Sequence, residues 1–69
     1  MDRAITEFRL ALQLDPESAP AYWHLGAALA DRGAFDEAAD ALRRSVQLDP
    51  GNADARHDLD TVLAMRAGR

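Results

Sequence analysis

Apolar residues recur every three or four positions along this chain. Between Ser18 and Gly33, the residues Tyr22, Leu25, Gly26 and Leu29 share one helical face, and after Gly33 so do Phe35, Ala38, Ala39, Leu42 and Val46. Opposite the second stripe lie Glu37, Asp40, Arg43, Arg44 and Gln47, with Asp40 three and four residues ahead of two arginines, the spacing of a solvated helix surface. Strand-like alternation has little material, because the β-branched residues are only Ile5, Thr6, Val46, Thr61 and Val62. The pattern predicts an all-α fold.

Punctuation sets the helix ends. Asp15-Pro16-Glu17-Ser18 and Asp49-Pro50-Gly51-Asn52 predict turns, since proline cannot continue a helix and disfavours helical geometry in the residue before it. Ser18 and Asn52 then offer side-chain oxygens to cap the helices that follow, and Pro20 is tolerated in a first turn whose amides lack intrahelical partners. Gly33 predicts a helix stop, because a left-handed residue there carries no side-chain penalty. Helices are expected near 2–14, 19–32, 36–48 and 53–66, each within a few residues.

A repeat underlies this order. Displaced by 34 residues, Gln13-Leu14-Asp15-Pro16 falls on Gln47-Leu48-Asp49-Pro50. Asp2, Ala4 and Arg9 fall on Asp36, Ala38 and Arg43, while Ala19, Ala21, Leu25, Leu29, Ala30 and Arg32 fall on Ala53, Ala55, Leu59, Leu63, Ala64 and Arg66. On this period the chain starts and stops in mid-repeat.

Composition narrows the class further. Ordering 69 residues costs roughly 1.5 kcal/mol each, about 100 kcal/mol in all, and the chain has no cysteine for a disulfide or thiolate zinc site. So short a chain needs very local packing or a partner. A net charge of −4 opposes nucleic acid or an anionic membrane surface as main partner. No apolar run is long enough to span a bilayer, the charged N-terminus does not read as a signal peptide, and a cytoplasmic location is expected.

The run Tyr22-Trp23-His24-Leu25-Gly26-Ala27-Ala28-Leu29, followed by Gly33-Ala34-Phe35, Ala38, Leu42 and Pro50, resembles the tetratricopeptide repeat. That family's pattern sets an aromatic, Leu-Gly, a bulky residue, Ala, a large apolar residue and Pro at these intervals. Ala4, Phe8, Ala11 and Pro16 fit the second half of such a repeat, and Ala55, Leu59 and Leu63 fit the first half. The resemblance implies antiparallel helix-turn-helix repeats in an α-solenoid fragment of about four helices. Residues 1–18 would be the second half of a repeat, 19–52 a full repeat, and 53–69 a first half or a terminal capping helix. It also implies that Gly26 and Ala38 face each other where two helices cross closely. The last helix departs from the pattern, with Asp60 at the phase of Gly26 and Arg56 at that of Tyr22. A carboxylate at a tight crossing is costly, so this helix reads as the polar end that closes a repeat array.

Candidate chemistry is sparse. His24 and Asp31 lie seven residues apart on one face, and Asp54, His57 and Asp58 sit within about one turn, which could offer ligands to a divalent metal. Solvated surface pairs explain them better, because a closed site wants more ligands and a second shell. Ser18 reads as a cap and Ser45 as a small packing residue, neither with a base at helical spacing. No phosphate loop and no paired carboxylate in an apolar setting occur, so neither an enzyme nor a cofactor is expected.

The resemblance implies a protein–protein interaction or scaffold module that holds a peptide or helix on the face of its repeat-first helices. On that face stand Trp23, His24, Ala27, Ala30 and Asp31, with His57, Asp58, Thr61, Ala64 and Met65 as counterparts on the last helix. Trp23, Ala27 and Ala30 form a shallow apolar line with one large aromatic, a composition that interface anchors favour. Trp23 could equally just cover the adjoining helix. Some family members grip a terminal carboxylate with Lys, Arg and Asn here; Trp23, Ala27, His57 and Thr61 take those places, which argues against that activity. The alternative function is structural self-association or capping of a longer array. The first helix carries Ile5, Phe8, Leu10 and Leu12 on more than one side and is expected to pair with its copy in a homodimer, meet an upstream helix in a longer protein, or join head to tail with the last helix.

Overall fold

The structure is a computed structural model in which residues 3–68 are described, forming α1 (Arg3–Leu14), α2 (Ala19–Asp31), α3 (Phe35–Leu48) and α4 (Ala53–Ala67). The two Asp-Pro turns are built alike. Asp15 Oδ1 accepts from the Glu17 amide at 3.1 Å and Asp49 Oδ1 from the Gly51 amide at 3.3 Å, so each aspartate folds the chain over its own proline. Three residues after each aspartate comes the cap: Ser18 Oγ accepts from the Ala21 amide at 3.3 Å, and Asn52 Oδ1 from the Ala55 amide at 3.1 Å. The repeated sequence thus makes repeated hydrogen bonds.

Between α2 and α3 the stop is Gly33, at φ 81°. The Gly33 amide donates to the Ala30 carbonyl and the Ala34 amide to the Leu29 carbonyl, both at 2.9 Å, which satisfies the last free carbonyls of α2 in a Schellman turn. Helix α3 begins at Phe35, one residue before the expected start, with Ala34 as N-cap and Asp36 and Glu37 facing the positive end of its dipole. Helix α4 ends one residue later than expected. The expected start of the first helix at Asp2 lies outside the described residues.

Helix α1 packs on α2, α2 on α3 and α3 on α4, while α2 also touches α4. The helices lie in a plate whose extents are 35 × 32 × 14 Å. Leu25, Leu29, Ala38, Ala39, Leu42 and Val62 are buried at its centre. Alanine dominates because thin side chains let helix axes approach, and Gly26 goes further. Its neighbour is not chiefly Ala38: the space a Gly26 side chain would fill is taken by the Leu42 side chain and, more distantly, by the Ala38 carbonyl. Ser45 is fully buried, and its hydroxyl donates to the Ala19 carbonyl at 3.0 Å, joining α3 to the start of α2.

Helix α1 corrects one expectation. Ile5 does not stand on a self-association surface: it is 7% exposed and belongs to the chain's own core. Phe8 and Leu12 are half-buried against that core. The three fall on one helical face, at spacings of three and four residues, and that face is the one α1 turns toward α2. Leu10, 52% exposed, lies outside it, as does Leu14, which is 89% exposed.

Candidate interaction groove

A groove of about 230 Å³ runs between α2 and α4. Helix α2 contributes Ala27, Ala30 and Asp31, helix α4 contributes Asp58, Thr61, Val62 and Met65, and Leu42 of α3 closes the bottom. Small side chains at Ala27 and Ala30 keep it open, as successive turns of one helix leave a furrow where two alanines align. Four residues expected at a partner-binding face, Ala27, Ala30, Asp31 and Thr61, are brought together here.

The remaining three are placed differently. Trp23 is half-buried, and its indole N–H donates to Asp58 Oδ2 at 2.8 Å, a bond that spans α2 to α4. Trp23 therefore covers the adjoining helix and stands next to the groove through Asp58. His24 is exposed and lies between two rings, Phe8 at 5.6 Å and Trp23 at 5.2 Å between centroids, with interplanar angles of 19° and 23°. It thereby joins α1 to α2 instead of lining the groove. His57 is exposed too, outside the groove's lining, and its carbonyl accepts from the Thr61 hydroxyl at 3.0 Å.

Leu42 and Val62 also line the groove, although sequence reasoning does not place them there. A signal exists for both, since Leu42 lies on the α3 stripe and Val62 one position past Thr61, but a stripe does not say which of its residues lies beneath the gap between two neighbouring helices. Among the described residues no group of three or more His, Cys, Asp and Glu side chains is arranged to hold a metal ion. No helix among them is long and apolar enough to cross a membrane.

The charges around the groove are uneven. Arg66 of α4 reaches Asp36 at 3.4 Å, Arg9 of α1 reaches Glu37 at 3.1 Å, and Arg43 reaches Asp40 at 3.5 Å, all on or toward α3. These arginines are engaged away from the groove, whose ionisable liners among the described residues are Asp31 and Asp58.

A comparison with curated proteins finds no significant match. The family model described as tetratricopeptide repeat matches residues 1–53, the span that holds both Asp-Pro turns, the Gly26 crossing and the Gly33 stop. With most of its length matched, four antiparallel helices and duplicated turns, this chain belongs to the tetratricopeptide repeat family, whose members generally act as protein–protein interaction modules, typically without catalysis.

Proposed function

We propose that this chain is a protein–protein interaction module that takes a peptide or helix of its partner into the groove between α2 and α4. The observation that carries this reading is the groove itself: an apolar floor of Ala27, Ala30, Leu42 and Val62, with the adaptable Met65 48% exposed beside it. Trp23 acts as a fixed wall at its side, oriented by the bond to Asp58. Under this reading residues 1–18 serve as the second half of a repeat, 19–52 as a full repeat, and 53–69 as the first half of a repeat or a terminal capping helix, so that the groove lies between α2 and the equivalent helix one period on.

The test is selection of peptides from a random display library on the whole chain, followed by titration against Ala27→Phe. That variant puts a ring into the groove at an exposed position and should abolish binding while leaving the helical circular dichroism signal intact. Binding undiminished by Ala27→Phe would refute the groove as the docking site.

A second reading, self-association through α1, is supported by the exposure of Leu10 and Leu14. It concerns a different surface and is compatible with an open groove.

A further inference from the structure

We propose that the partner segment held between α2 and α4 presents a cationic side chain, lysine or arginine, beside an apolar one. This rests on the docking reading above and adds the sign and placement of the partner's charge.

The groove is two-toned. Its floor is hydrocarbon, while one carboxylate stands on each wall, Asp31 from α2 and Asp58 from α4. No basic residue lines it among the described residues. Four arginines elsewhere are engaged, since Arg3, Arg9, Arg43 and Arg66 each meet a carboxylate of another surface. Asp31 has no hydrogen-bond or ion-pair partner for its side chain among the described residues.

Asp58 is held ready in a different way. Its Oδ2 accepts a hydrogen bond from the Trp23 indole N–H at 2.8 Å, which orients the carboxylate and leaves Oδ1 for a second donor. An ammonium or guanidinium group meeting that oxygen gains a charge-assisted hydrogen bond to a group already oriented, so little rotamer freedom is lost on binding. An acidic segment would meet two carboxylates and a chain of net charge −4.

The groove's size fits a side chain of a partner segment better than a small molecule. About 230 Å³ lies below the roughly 300–1,000 Å³ of small-molecule sites and suits one or two side chains of a segment lying across the plate.

Trp23 is the chain's single tryptophan and is bonded to a groove wall, so its fluorescence reports occupancy. The probes are three short synthetic peptides of leucine and alanine, lacking tryptophan and identical except for one central arginine, glutamine or glutamate. The arginine peptide should bind about fivefold more tightly than the glutamine peptide, and the glutamate peptide more weakly than either. Added salt should narrow these differences. Asp31→Asn and Asp58→Asn together should remove the preference for arginine. The side-chain amide introduced by Asp58→Asn keeps an oxygen that can accept from Trp23, so circular dichroism should be unchanged. Equal binding of the three peptides, or a preference for arginine that survives both substitutions, would overturn the cationic assignment alone. Binding that persists in Ala27→Phe, or no binding of any of the three, would overturn the docking reading and the charge assignment with it.

Discussion

A Cβ on Gly26 would stand 2.6 Å from Leu42 Cγ and 2.9 Å from its Cδ2, so the missing side chain of one helix is the seat of a side chain from the next. Leu42 is fully buried and sits directly against Gly26. Replacing glycine by alanine inside a helix ordinarily gains about 1 kcal/mol, whereas overpacking costs about 1–3 kcal/mol. Gly26→Ala is therefore expected to lose about 1 kcal/mol net and Gly26→Leu to lose the fold, both read from thermal melts by circular dichroism. A more stable Gly26→Ala would mean that Leu42 can change rotamer without penalty.

Ser45 offers a cleaner test of a single bond. Its buried hydroxyl supplies the link to the Ala19 carbonyl, and Ser45→Ala removes that donor with almost no change in volume. The expected cost is about 1 kcal/mol in chemical denaturation. Ser45→Val should cost more, since the site has no room for a second methyl group.

For Trp23 the two roles give different expectations. As an exposed anchor it would be dispensable for folding; as a half-buried bridge to Asp58 it is not. Trp23→Ala should cost about 2 kcal/mol, and Trp23→Phe, which keeps a ring and loses only the hydrogen bond, about 1 kcal/mol. Melts indistinguishable from the parent for both variants would show that the bridge contributes nothing.

Leu10 and Leu14 address association. Both are exposed and outside the chain's own core, so Leu10→Gln with Leu14→Gln should leave folding intact. Phe8→Asp would not serve, because Phe8 stacks on His24 and packs against the core. The parent is expected to gain mass in light scattering, and to melt at higher temperature, as its concentration rises. The double variant should do neither. Association of equal strength in both would exclude the outer face of α1.

What can be read from the sequence is local. Proline, glycine and the caps Ser18 and Asn52 act on their own neighbours, so the helix ends are legible to within a residue or so among the described residues. The rotation of a helix against its neighbour is not. Ile5 and Leu10 are both plainly apolar, but only packing on α2 decides that Ile5 faces inward and Leu10 outward. The Trp23–Asp58 bond joins residues 35 apart, beyond any helical spacing, and depends on the placement of α4 beside α2. Even identical sequence can differ in setting. Leu48 is half-buried and its repeat counterpart Leu14 is 89% exposed, since α3 packs on two helices and α1 on one.

Because every helix leans mainly on its neighbour in sequence, the chain closes only short turns to make its contacts. Short closures cost little entropy, and such topologies fold in microseconds to milliseconds. Formation can begin at the α2–α3 hairpin and spread to either side, so opening is graded as well, with amides of α2 and α3 exchanging more slowly than those of α1. Helix α4 packs mainly on α3 and forms one wall of the groove. A segment lying across α2 and α4 would slow exchange along α4 most, making occupancy and the kinetic persistence of that helix two readings of one equilibrium.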